Sequence, residues 1–171
     1  MKNLSILILS LTISVNIFSQ NIRINNDFNK FIGTWRSVSG TDTTELVLQK
    51  QVYQNSYEML VGWHRYVKNG VLIQSSFQYI GRDVNIDFYN DDVDLKTTLR
   101  GFTRPSGPKN VFFNLFFDLT LHKPFEVRFN MLTNSTTQAS WKITKAGANL
   151  VGKPPYVNGC TLPINLIFTK L

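Results

Sequence analysis

One cysteine, two histidines and a charged fraction of 17% are what this 171-residue sequence has least of, and each scarcity closes off a class of explanation. A single thiol, Cys160, has no internal disulfide partner, so stability in an oxidising compartment has to come from packing. Neither His64 nor His122 has a second metal ligand at a recognisable spacing, and on a strand Trp63 and Arg65 point away from His64. No sequence feature brings a histidine to Cys160 as a base. The 11 acidic residues show no pair placed to split two pKa values apart for acid and base work. The chain is therefore read as a non-enzyme with no cofactor and no metal. Long apolar runs are absent after the first 20 residues, and so is helical periodicity.

The first 20 residues differ from the rest. Lys2 is their only charge, and Leu4 to Ile17 is a run of Leu, Ile, Val, Ser and Thr that fits the positive start and short apolar core of a secretory signal. Asn16 breaks the run well short of the roughly 20 apolar residues a membrane-spanning helix needs. Residues 1–20 are thus expected to be a signal peptide cleaved after Ser19 or Gln20. No cysteine stands near that site to form a lipobox, so a secreted or periplasmic product with no stable membrane anchor is expected. Asn-rich residues 21–30 are expected to form a flexible lead-in to a single domain over 31–171. Across the full chain 18 Lys and Arg outweigh 11 Asp and Glu, which favours anionic partners, and nucleic acid is not expected for an exported chain.

Aromatic residues are plentiful, with 13 Phe, 6 Tyr and 3 Trp, and they recur at period two. Val111, Phe113, Leu115, Phe117 and Leu119 fall on one face of a strand. After His122-Lys123-Pro124, Phe125, Val127, Phe129 and Met131 alternate with Glu126, Arg128 and Asn130, which makes a β-hairpin. Further strands are predicted near 33–39, 44–53, 56–67, 71–80, 84–89, 94–103, 136–144 and 164–171. Lys68-Asn69-Gly70 is a tight-turn signal, since Asn-Gly accepts the positive φ of a type I′ turn. Residues 145–163 read as a long loop. Strands in series joined by tight turns predict an all-β fold: a single antiparallel up-and-down β-barrel of about 8–10 strands, closed so that no edge is left.

Phe31-Ile32-Gly33-Thr34-Trp35 resembles the Gly-x-Trp motif that opens the first strand of lipocalins and other calycin barrels. The resemblance implies a lipocalin-like barrel with Trp35 plugging one end beneath a basic side chain of the last strand, Lys170 here, beside Gly33. Fatty-acid-binding proteins insert two helices after that strand, whereas Ser39-Gly40-Thr41-Asp42 turns directly into the next one. As a whole the chain resembles an uncharacterised lipocalin-like family of exported proteins from Bacteroidetes.

The remaining polar motifs have plain readings. Asn90, Asp92 and Asp94 have the oxygen spacing of a calcium loop, but Leu95 and Gly101 stand where its Gly and Glu belong, so a solvated turn is expected. Arg100, Arg104 and Lys109 flank the Pro105-Ser106-Gly107-Pro108 turn, a basic loop whose side chains either simply face water or, at a barrel mouth, would meet a carboxylate or phosphate headgroup. Two functions follow. In the first, the barrel binds a small hydrophobic ligand through Trp63, Phe113, Phe117, Phe129 and Trp141, with any charged headgroup near Arg100 or Arg104. In the second it is a ligand-free barrel acting through its surface as an envelope or secreted interaction module, its protein partner unknown.

Overall fold

A computed structural model describes residues 26–53, 57–81, 99–103, 110–146 and 159–171. The expected signal peptide, the strand near 84–89, the Asn90-Asp92-Asp94 motif, and Arg104 with the turn that follows it lie outside the described residues. Nine strands are described: β1 (Gly33–Ser39), β2 (Asp42–Tyr53), β3 (Tyr57–Lys68), β4 (Val71–Ser75), β5 (Leu99–Thr103), β6 (Asn110–Asp118), β7 (Lys123–Met131), β8 (Gln138–Ala146) and β9 (Asn165–Lys170). All ladders are antiparallel.

Local chemistry sets the turns. Asn69 and Gly70 have φ of 51° and 76°, the pair of positive values a type I′ hairpin requires, and Lys68 stands opposite Val71. Asp42 ties this turn to the preceding one by accepting hydrogen bonds from the Asn69 backbone N–H and the Tyr66 hydroxyl, both at 3.0 Å. The strand predicted over 71–80 stops at Ser75, and Phe77–Tyr79 is a single 3-10 turn. Serines end it: Ser75 Oγ accepts from Phe77 N at 3.2 Å, and Ser76, whose N–H donates to the His64 carbonyl at 2.9 Å, accepts from His64 N through its Oγ at 3.0 Å in place of a backbone carbonyl. Within the lead-in expected over 21–30, Asn26–Phe28 forms a 3-10 turn that buries the Phe28 ring in the core.

Eight strands form one circuit. The hydrogen-bonded order runs β2-β1-β9-β8-β7-β6-β5-β3, and β2 also pairs with β3, so the meander curls until its hydrogen bonding closes on itself. β4 is an extra arm on the upper part of β3, beside the short stretch where Leu60 to Gly62 meets β5. The seam between β1 and β9 is brief, with Trp35 opposite Lys170 and Arg36 opposite Thr169.

Alternation places the core inside this circuit. On β7 Lys123, Phe125, Val127, Phe129 and Met131 are buried, while Arg128 is exposed and Glu126 and Asn130 are partly covered. β6 starts in the predicted phase, with Val111 and Phe113 buried, and then changes it. Its register against β7 slips between Phe113 and Phe116, and its register against β5 slips between Arg100 and Gly101. A bulge adds one residue and turns the following side chains to the other face. Phe116 is therefore fully buried inside, and Phe117, predicted to share a face with Phe113, is on the other side and only half-buried.

Candidate functional site

The lower end of the barrel is packed with rings. Phe129 sits at its centre, with ring centroids of Trp35 at 5.2 Å, Phe168 at 5.8 Å, Phe31 at 6.0 Å and Phe113 at 6.3 Å. Edge-on and tilted contacts at these distances are the favoured aromatic geometries. Trp35 Nε1 donates to the Phe31 carbonyl at 2.7 Å, so this buried indole is satisfied. The Lys170 ammonium lies 5.6 Å from the Trp35 ring centroid and donates to the Lys30 carbonyl at 3.1 Å. Gly33 has φ of 125°, and a Cβ there would come within 3.0 Å of Lys170 Cε. Gly33, Trp35 and Lys170 thus meet at one end of the barrel, where the positive φ of Gly33 is one that residues with a Cβ rarely adopt.

The upper end combines rings with buried polar groups. Phe116 contacts His64 at 5.1 Å and Trp141 at 5.3 Å between centroids, both edge-on. Gln74, 6% exposed on β4, accepts the Leu119 and Thr120 backbone N–H groups through Oε1 at 2.9 and 3.3 Å. Asp118, fully buried at the end of β6, accepts from Thr120 N and Leu121 N at 3.0 Å, Thr161 Oγ1 at 3.0 Å, Thr161 N at 2.6 Å and Cys160 Sγ at 3.4 Å. One carboxylate therefore fastens the β6–β7 turn to the segment that leads into β9. Lys123 stands opposite Asp118 in the ladder, buried, with its ammonium 4.9 Å from the Phe125 ring centroid.

Burial sets the protonation states here. It lowers the pKa of His64 to about 4, against the opposing pull of a hydrogen bond with Gln74 and the Asp118 charge. Burial and the neighbouring Asp118 push the Cys160 thiol up to about 12. At neutral pH the upper end thus holds a neutral imidazole and a protonated thiol. The buried Trp141 Nε1 has no hydrogen-bond partner among the described residues.

Phe113, Phe129 and Trp141 come together in one interior cluster, joined by Phe116 in place of Phe117. Trp63, predicted to line the lumen, does not join them. It is buried on the outer face of β3 in a second cluster with Tyr53, Met59 and Val61, packed against Phe77 and Tyr79 of the 3-10 turn. His64 occupies the inner face at that level, and alternation sends its neighbour outward. Arg100 lies in β5 paired with Val61. Asp118, Gln74 and Phe116 were not among the expected site residues. A signal existed only for Asp118, an acid opposite Lys123 across the hairpin turn. On the outer surface Glu45 is 3% exposed between two arginines, bonded to Arg36 at 2.8 Å and to Arg65, with all three in register across β1, β2 and β3.

These features define an all-β antiparallel barrel of calycin-like form, closed at one end by an aromatic plug and polar inside at the other. The whole chain, residues 1–171, matches the model of a family of unknown function, DUF6705, and the protein belongs to that family. No curated protein and no solved structure matches it. Among the described residues no three His, Cys, Asp or Glu side chains gather in metal-binding geometry, and no helix is long and apolar enough to cross a membrane.

Proposed function

We propose that this protein is an exported lipocalin-like carrier that takes a small, mostly apolar molecule into the upper half of its barrel, with no reaction catalysed there. The observation that carries this reading is the division of the interior. Rings fill the lower end around Phe129, while above them the Phe116 ring lies between Trp141 and a His64 that bonds Gln74. Apolar walls with a few convergent polar groups are the usual make-up of a small-molecule site. A ligand that binds only the folded state stabilises it by about 2.7 kcal/mol at 100 times its Kd. For a domain of this size that is a rise in Tm of several degrees. The test is a thermal-shift screen of fatty acids, long-chain ketones, sterols, retinoids and quinones, with native mass spectrometry of freshly purified protein to detect a retained molecule. A concentration-dependent rise is expected; a melting point that no compound moves would overturn the carrier reading.

A second reading, a barrel acting through its outer surface as an envelope or secreted interaction module, draws support from β4. Val71, Leu72 and Ile73 are exposed in succession, at 62, 58 and 37%, and Val38 at 64% lies in the same cross-strand row as Leu72, through Thr43 and Val67. Apolar side chains grouped this way are a common feature of interaction sites.

A further inference from the structure

The segment that leads into β9 passes over the barrel interior. At its end Ile164 lies against β8, its carbonyl accepting from Ile143 N at 2.9 Å, and near its start Thr161 and Cys160 donate to Asp118 at the end of β6. β7 separates β6 from β8 in the sheet, so residues 160–164 run past the end of that strand across the upper mouth. Midway, Leu162 is 1% exposed and packs into the interior cluster that contains Phe116 and Trp141. Gly159 begins the segment with φ of 95° and open space around it, a conformation that suits a glycine pivot. The two Asp118 oxygens serve different segments. Oδ1 accepts from Thr120 N and Leu121 N of its own turn as well as from Thr161 Oγ1, whereas the donors on Oδ2, Thr161 N and Cys160 Sγ, both come from the segment. With the segment lifted, the turn still orients the carboxylate through Oδ1, so reclosure needs no rebuilding of the β6–β7 hairpin.

We infer that residues 159–164 are a strap over the upper mouth with Asp118 as its latch, and that Leu162 fills in the closed barrel the space an apolar ligand takes once the strap lifts. The inference rests on the carrier reading above and names the movement that loads the site. An irregular segment held by side-chain bonds, with little ladder pairing of its own, is the kind of unit that opens below the free energy of global unfolding. A ligand that binds only the open form is held more weakly in proportion to the rarity of that form. It also trades places with the strap: as it binds, Thr161 N and Ile143 N lose their acceptors while the rest of the barrel gains stability.

Native-state hydrogen exchange on the full chain tests this, with N-phenyl-1-naphthylamine, a neutral apolar fluorophore, as the probe. Without probe, the Thr161 and Ile143 amides should be about 10-fold or more less protected than the Trp35 indole N–H, which is buried in the plug and reports global unfolding. With probe, protection should fall further at Thr161 and Ile143 and rise at Trp35, whereas binding to a closed barrel raises all three. Asp118→Asn loosens the latch selectively: the turn N–H groups draw the amide oxygen to the Oδ1 position and set Nδ2 against Thr161 N–H, donor against donor. A hydrogen bond to a charged group is worth about 10- to 100-fold in an equilibrium, so this variant should bind the probe that much more tightly although its fold is less stable. Thr161→Val, which drops only the hydroxyl donor, should tighten binding about 5-fold and serves if Asp118→Asn does not fold. Equal protection at the three sites, a rise at all three with probe, or affinity unchanged in both variants overturns the strap and leaves the carrier reading standing. A probe bound by no form of the protein, with no retained molecule in native mass spectrometry, overturns the carrier reading and the strap's role with it.

Discussion

The phase change in β6 makes two adjacent phenylalanines unequal, and substituting each by alanine measures the difference. Phe116 is fully buried and contacts three rings, His64 at 5.1 Å, Trp141 at 5.3 Å and Phe125 at 6.3 Å. Removing a buried Phe side chain costs about 3–5 kcal/mol through lost transfer energy and the cavity left behind. Phe117 is only half-buried on the opposite face, and its loss should cost about 1 kcal/mol. With about 2–4 °C lost per kcal/mol in a domain of this size, Phe116→Ala should lower Tm by roughly 6–20 °C and Phe117→Ala by only a few degrees. Equilibrium urea unfolding provides the free energies directly, and equal m-values in the two variants would certify the comparison. Unbroken alternation along the strand predicts the reverse order. A larger loss at Phe117 than at Phe116 would show that the bulge between Phe113 and Phe116 is not present.

Two further predictions concern protonation. The pKa of His64 is lowered by burial to about 4, so its neutral form stabilises the fold fully above pH 6.5, and that contribution, about 3 kcal/mol, is lost as pH falls through 4. His64→Leu should therefore flatten the decline in urea-derived stability between pH 6.5 and 4, and an unchanged slope would refute the assignment. Cys160, held protonated by burial and Asp118 to about 12, should react with iodoacetamide at pH 8 roughly a thousand times more slowly in the folded protein than in urea. Asp118→Asn should quicken the folded-state reaction, and a wild-type rate equal to that in urea would show the thiol to be open.

Much of the architecture was legible because period two is a covalent property of an extended chain. Phe125, Val127, Phe129 and Met131 needed only one face buried to be recognised, and Asn69-Gly70 needed only its tolerance of positive φ. The end of β4 was harder, since Phe77, Tyr79 and Ile80 have strand-like composition. What stops the strand is a pair of serine hydroxyls bonding to backbone, visible only once His64 is known to lie alongside. Bulges escape sequence patterns for a related reason. Either Phe116 or Phe117 can satisfy the interior, and the choice is made by the register of β5 and β7. Trp63 faces outward because a second apolar cluster covers the outer face of β3, so an aromatic on a strand does not by itself mark the inward face. Gln74 and Asp118 belong to the candidate site through partners 45 and 43 residues away, Leu119 and Thr161, which no local pattern encodes.

The narrow seam between β1 and β9 has a consequence for when this protein can fold. β1 is anchored by β2 and β9 by β8, yet the ring is completed only where Trp35 and Arg36 meet Lys170 and Thr169. Until β9 is in place, β1 and β8 each present an unpaired edge, open to mispairing with any neighbouring chain. Joining segments this distant in sequence also makes closure slow compared with forming the β6–β7 hairpin. Ring closure is consequently a late event that waits for the C-terminal strand, and a chain caught part-way through synthesis carries an open sheet instead of a barrel.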